Sequence, residues 1–168
     1  MTFYELTPAQ QEDFPRCMQI LQSGRDFQRQ QGFVQWPDNF PDADVVARDI
    51  SSGFGFVLKA DGIIAAYCYL GLEGDPSYPD IKGAWRYDEP YVVMHRVAIS
   101  PEFRGMGLAG KLFSLVEEFA KKRNRFVLRI DTAEPNTRMQ HVVEKAGFVC
   151  CGTVIQGGGL RLAYDKKI

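Results

Sequence analysis

The spacing of apolar residues changes from segment to segment and marks out the elements. Thr2–Leu6 alternates as a short strand, and Thr7 stands as an N-cap before Pro8–Gln22. There Phe14, Met18 and Leu21 recur at helical spacing, with Cys17 beside them. Gln28–Pro41 is rich in turn residues but carries Phe33, Trp36 and Phe40, and Asp42–Ile50 predicts a second short helix ending near Ser51-Ser52-Gly53. Two apolar runs, Phe54–Lys59 and Ile63–Leu70, flank Ala60-Asp61-Gly62, and Asp-Gly between such runs predicts an antiparallel hairpin.

Gly71–Pro90 is polar, carries prolines and predicts a long irregular connection. Tyr91–Ile99 returns to strand character and stops at Ser100-Pro101. From about Gly107 to Arg123, Leu108, Leu112, Leu115, Val116 and Phe119 fall on one helical face, with Lys111, Glu118 and Lys122 opposite. Arg125–Asp131 predicts a strand. Met139, Val142, Val143 and Ala146 then predict a helix from Asn136 to Gly147. Strands near Phe148–Ile155 and Leu160–Tyr164 close the chain around Gly157-Gly158-Gly159. Strand, two helices, hairpin, then β-α-β-α-β-β is an α+β order with about four helices and a mixed, mostly antiparallel sheet.

Length and composition narrow this further. A chain of 168 residues with 45% apolar content suits one domain with a sizeable core, so residues 1–168 are expected to form a single domain. A net charge of −1 gives no electrostatic footprint for nucleic acid. The basic run Lys121–Arg125 sits where cations complement a helix C-terminus. No apolar run is long enough to cross a bilayer, and the first residues lack the charge and apolar pattern of a signal peptide. Cys17, Cys68, Cys150 and Cys151 have neither zinc-site spacing nor paired histidines, so no metal is expected, and reduced thiols in a cytoplasmic protein are the reading. Cys150 and Cys151, adjacent on a strand, are expected on opposite faces.

The candidate chemistry concentrates between Arg104 and Lys111, which read R-G-M-G-L-A-G-K. Three phosphate-binding patterns overlap there. A P-loop would use Gly105, Gly110 and Lys111, but the magnesium-binding hydroxyl position is Leu112. A dinucleotide fingerprint would use Gly105, Gly107 and Gly110, with Asp131 as the ribose carboxylate of an NAD(P)-dependent oxidoreductase. Against it, Ser100–Arg104 separates strand from glycines, and too little chain follows Asp131 to complete a doubly wound sheet. The third pattern, [QR]-x-x-G-x-[GA], uses Arg104, Gly107 and Ala109. In all three, glycines turn backbone N–H groups toward an anion at a helix N-terminus.

Residues 91–148 resemble the cofactor core of the GNAT-type N-acetyltransferases. The resemblance rests on the strand Val93–Ile99, Ser100-Pro101, Arg104–Ala109 with its helix, then Asn136 and Glu144-Lys145-Ala146-Gly147-Phe148, in the family's order and spacing. It implies acetyl-CoA as cofactor, a splayed parallel strand pair, and transfer of acetyl to a primary amine of a small molecule or peptide by direct attack in a ternary complex. It further implies that backbone groups of Val97, Ala98 and Ile99 meet pantetheine and the acetyl carbonyl. The loop Arg104, Gly105, Met106, Gly107, Leu108, Ala109 and Gly110 would hold the pyrophosphate, and Asn136 would reach the cofactor from the start of its helix.

Acetyl transfer needs a proton acceptor and an oxyanion donor. His95, where similar proteins often carry Glu, is the candidate general base, with a packed strand histidine as the alternative. The backbone N–H of Val97 is the candidate oxyanion donor. Similar enzymes often place a thiolate-protonating Tyr at the position of Val143, and Tyr67, Tyr69, Tyr91 and Cys68 are the substitutes considered. That departure keeps a second reading open, a non-catalytic acyl-CoA-binding or sensor module on the same fold. Trp36, Tyr67, Tyr69 and Trp85 are candidates for the acceptor wall. Glu73, Asp75, Asp80, Asp88 and Glu89 would suit a cationic amine or a solvated loop. The chain is expected to work as a monomer or homodimer.

Overall fold

The computed structural model describes all residues, Met1–Ile168. In chain order the elements are β1 (Tyr4–Pro8), α1 (Phe14–Gln30), α2 (Ala43–Ser51), β2 (Gly55–Ala60), β3 (Ile63–Gly71) and β4 (Lys82–Gly83). There follow β5 (Tyr91–Ile99), α3 (Leu108–Lys121), β6 (Val127–Ala133), α4 (Thr137–Lys145), β7 (Val149–Gln156) and β8 (Gly159–Lys167). Four helices and eight mostly antiparallel strands with one parallel pair give the expected α+β class. The chain divides into two compact units, Met1–Leu70 with Arg96–Leu115, and Gly71–His95 with Val116–Ile168.

In the first unit β2 pairs antiparallel with both β1 and β3. Asp61 and Gly62, both at positive φ (48° and 82°), make the tight hairpin turn that Asp-Gly predicts. β1 runs to Pro8, so Thr7 lies in the strand rather than capping a helix. Gln10 and Asp13 start the helical segment instead, the Asp13 carboxylate accepting the Gln10 N–H at 2.8 Å. α1 also runs eight residues beyond the expected end at Gln22, because the turn-rich stretch folds back on it. Arg25 donates to the carbonyl oxygens of Asp38 (2.6 Å) and Phe40 (3.2 Å), and Gln28 Oε1 accepts the Trp36 N–H at 3.1 Å. Gly24 is tolerated inside the helix because a Cβ there would come within 3.3 Å of both Trp36 and Ala98. Asp42 caps α2 by accepting the Val45 N–H at 2.9 Å. Cys17, Ile20, Leu21, Val46, Val57 and Tyr67 centre the core of this unit.

In the second unit β5 pairs parallel with β6 over Tyr91–Met94 and Val127–Ile130. β6 pairs antiparallel with β8, β8 with β7, and β7 with β4. The polar segment 71–90 predicts no strand, yet β4 forms within it. It exists because Gly83 and Gly152 face each other with no side chains, and a Cβ on either would sit about 2 Å from a backbone oxygen of the other strand. The register between β7 and β8 shifts from Cys150 to Gly152, so a bulge at Cys151 replaces the simple alternation expected for the two cysteines. All four cysteines are free. Within the last turns of α3, Arg123 donates to the Phe119 carbonyl at 3.3 Å, the capping role expected of the basic run.

Candidate functional site

The phosphate-loop candidates open α3 in the first unit. Ser100 is fully buried and accepts from Arg16 at 2.8 Å, and Pro101–Phe103 form one 3-10 turn. The Arg104 N–H closes that turn on the Pro101 carbonyl. Its guanidinium turns back to α1, bonding the Ser23 carbonyl at 3.0 Å and covering the Phe27 ring at 4.3 Å. Arg104 therefore anchors the loop, while its amide and head are already engaged. Gly105 and Gly107 adopt φ of 77° and 73°, which L side chains enter only under strain. The first α3 bond runs from the Lys111 N–H to the Gly107 carbonyl, so the N–H groups of Leu108, Ala109 and Gly110, which open the helix, have no partner within it. A row of unengaged donors at a helix N-terminus, with open space where Cβ atoms of Gly105, Gly107 and Gly110 would lie, fits a diphosphate.

Upstream on β5, Arg96 takes φ of 53° inside a strand, a conformation that needs enforcement in a non-glycine residue. Its guanidinium forms a two-pronged bond to Asp49 at 2.8 and 2.7 Å and lies 4.4 Å above the Tyr69 ring. Asp49 also accepts from the Tyr67 hydroxyl at 2.7 Å. Further along, the Ser100 N–H donates to the Ala65 carbonyl on β3 at 2.8 Å. Because N–H directions alternate along a strand, those of Ile99 and Val97 point away from β3.

His95 lies in the second unit. Its Nε2 is 2.7 Å from Asp75 Oδ2, and since a carboxylate only accepts, Nε2 is assigned the proton. The Asp75 carboxylate is itself fixed, by Ser77 N–H (2.8 Å) and Oγ (2.6 Å) on one oxygen and Gln156 Nε2 (2.7 Å) on the other. Burial pushes the Asp75 carboxyl up, but the hydrogen bonds from His95 and Ser77 outweigh it and hold it well below the ordinary range. His95 Nδ1 lies 3.6 Å from Asp131 Oδ2, which accepts from the Tyr78 hydroxyl at 2.7 Å. Asp131 is shifted upward, chiefly by burial, against the opposing pull of His95, Tyr78 and Arg161. A buried acid whose titration is shifted upward thus faces the other ring nitrogen of His95.

The remaining sequence candidates divide between cavity and core. Trp36 and Tyr67 are buried in the core of the first unit, and Cys68 is fully enclosed with its thiol pushed up by burial. Tyr69 lines a cavity. In the second unit Trp85 packs on Tyr78 at 4.9 Å and beneath Arg129 at 4.1 Å. Tyr91 accepts the Asp75 N–H at 3.2 Å. Asn136 caps α4, its Oδ1 accepting the Met139 N–H at 3.1 Å, and Val143 is fully buried. Asp131 stands in the His95 cluster, and the sheet is not a doubly wound parallel one, so the dinucleotide reading is withdrawn. No pattern in the sequence pairs Asp75, Tyr78 or Gln156 with His95. The local signal was Asp75-Pro76-Ser77, a spacing that lets the carboxylate bond the backbone two residues on.

Residues 9–148 match the acetyltransferase (GNAT) family, and this chain belongs to that family, whose members take their acetyl group from acetyl-CoA. It is 26% identical over 165 residues to the uncharacterized N-acetyltransferase YesJ of Bacillus subtilis, covering 96% of this chain and 88% of that protein. A GNAT-family acetyltransferase from Streptococcus agalactiae is 32% identical, with a TM-score of 0.91 over 98% of this chain and 95% of its own. The fold is shared with yncA of Salmonella typhimurium, solved with its cofactor acetyl-CoA, at 16% identity and a TM-score of 0.64, covering 98% and 93% of the two chains. No helix is long and apolar enough to cross a membrane.

Proposed function

We propose that this protein transfers an acetyl group from acetyl-CoA to a primary amine of a small molecule or peptide, by direct attack with both substrates bound. The observation that carries the reading is the glycine-rich turn at Gly105–Gly107 leading into the N–H groups that open α3 at Leu108–Gly110, in a chain of this family. Those amides would donate to the cofactor's diphosphate, with Asn136 reaching it while also capping α4. When bound, acetyl-CoA supplies an acetyl group activated as a thioester.

The backbone of Val97, Ala98 and Ile99 would line the cofactor's arm, and the outward Val97 N–H would donate to the carbonyl oxygen where negative charge develops. His95, its ring oriented by Asp75, would take the proton of the attacking amine. The family match extends across residues of both units, which supports reading 1–168 as one N-acetyltransferase domain acting as a monomer or homodimer. Four free cysteines support a reducing, cytoplasmic setting.

Thiol release from acetyl-CoA across an amine panel tests the reading, with one productive amine expected and none overturning it. A second reading, acyl-CoA binding without transfer, is favoured by Val143, whose buried side chain leaves α4 with no hydroxyl at that position. It predicts saturable coenzyme A binding with no thiol release from any amine.

A further inference from the structure

The first unit contains a cavity of about 480 Å³, within the size range of small-molecule sites, lined by Phe40, Val45, Arg48, Phe54, Tyr69 and Arg96. Its aromatic wall is ordered, with the Phe54 and Tyr69 rings meeting edge to face at 5.8 Å and 62°. Asp49 also lines it, but both carboxylate oxygens are engaged, one by Arg96 and the other by Arg96 and Tyr67. No lining carboxylate is left for a cation.

Arg48 is different. Its side chain is exposed at the cavity and makes no ion pair or hydrogen bond. Two guanidinium groups and one carboxylate leave the lining with a formal surplus of one positive charge. The C-terminal turn of α2 also borders the cavity and would disfavour an anion through its carbonyl groups. Those carbonyls are satisfied, however, since Arg48 O accepts from Ser52, Asp49 O from Phe54 N–H and Ile50 O from Gly53 N–H. A free guanidinium at the rim outweighs that partial charge and offers a forked, charge-assisted bond to a carboxylate.

We propose that this cavity anchors the acceptor, and that the acceptor is an amine whose apolar or aromatic body carries a carboxylate, which Arg48 holds. The proposal rests on the acetyltransferase reading, which supplies the reason for an acceptor. The link between them is local: Arg96, in the cavity wall, directly precedes Val97, so their Cα atoms are about 3.8 Å apart. The cavity therefore adjoins the backbone assigned to the acetyl carbonyl. It also turns the preference away from the dication or polyamine that an acidic loop would have suggested.

The probes are 3-phenylpropionate, its uncharged amide 3-phenylpropionamide, and the cation 2-phenylethylamine, titrated into the full chain without acetyl-CoA. Calorimetry is expected to rank acid over amide over amine, with the acid at least about tenfold tighter than the amide. Arg48→Glu, at an exposed position in the last turn of α2, should bring the acid-to-amide ratio to one or below with only a small drop in the thermal melt, and Arg48→Lys should keep part of the ratio with the melt unchanged. Equal binding of acid and amide, no saturable binding, or an unchanged ratio in Arg48→Glu overturns the proposal. Turnover separates the two readings. Thiol release that is indifferent to a substrate carboxylate and to Arg48→Glu sinks the pocket and leaves the acetyltransferase standing. Carboxylate-selective binding without thiol release from any amine does the reverse.

Discussion

His95 Nε2 sits 2.7 Å from Asp75 Oδ2, and that contact fixes which ring nitrogen carries the proton. Asp75 cannot be replaced quietly by Asn. Its oxygens already accept from Ser77 on one side and from Gln156 on the other, so the amide NH₂ must face a donor whichever way it turns. Facing His95, it forces Nε2 to accept and moves the ring proton to Nδ1. Asp75→Asn should therefore lower kcat about 100-fold, as should His95→Gln, with coenzyme A affinity unchanged in both. Steady-state thiol release and calorimetry check this, and near-normal turnover in either variant would show that His95 is not the base.

The same carboxylate should leave an acid signature. Its folded pKa lies below the unfolded value of about 3.9, so its stabilisation is fully present above that value and is lost as pH falls through the folded pKa. Denaturant melts should show wild type more stable than Asp75→Asn at pH 7, with the gap narrowing below about pH 4. A gap independent of pH would mean the loss is one of packing.

Asp131 should behave in the opposite sense. Burial raises its folded pKa above the unfolded one, so the protonated form's advantage is complete below the unfolded value and is lost as pH rises through the folded value. Asp131→Asn keeps an acceptor for the Tyr78 hydroxyl while removing the buried charge. Its melting temperature should exceed wild type at pH 7 to 8 and converge on it near pH 4.

Two glycines of the candidate phosphate loop should part company. Gly107→Ala meets no steric obstacle, but φ of 73° costs an L residue about 1 kcal/mol and disturbs the donor row, so coenzyme A binding should weaken. Gly110 lies within α3, outside the left-handed region and with open space around a new Cβ. Gly110→Ala should add up to about 1 kcal/mol, seen as a rise of roughly 2–4 °C in Tm.

Tyr67→Phe removes one of the three hydrogen bonds to Asp49 within the core of the first unit. A loss of about 1–2 kcal/mol is expected in urea melts. The hydroxyl is held neutral by burial, so the cost should not vary between pH 6 and pH 9.

What could be read from the sequence was local. The glycines at 105 and 107, Asn136 as a cap, Gly147 after α4 and the Asp61-Gly62 turn each carry their backbone requirement in their own residue type. The cluster around His95 did not, because Asp75, His95, Asp131 and Gln156 meet through sheet pairing and a folded-back loop. β4 depends on two glycines 69 positions apart in the chain facing each other, and no period reveals that. The length of α1 was missed for a related reason. Its last turns are stabilised by Arg25 and Gln28 reaching the loop, rather than by an apolar stripe.

The left-handed turn at Arg96 has a mechanical consequence. Its side chain is clamped by Asp49 on α2, while its carbonyl carbon is bonded to the nitrogen of Val97. Any tilt of α2 as a ligand settles against Phe40, Val45 or Arg48 is passed through that clamp to the direction of the Val97 N–H. If the cavity receives the acceptor, its recognition and the aim of the Val97 N–H would be joined through that clamp, and a molecule that fills the cavity badly would leave the N–H turned off its mark.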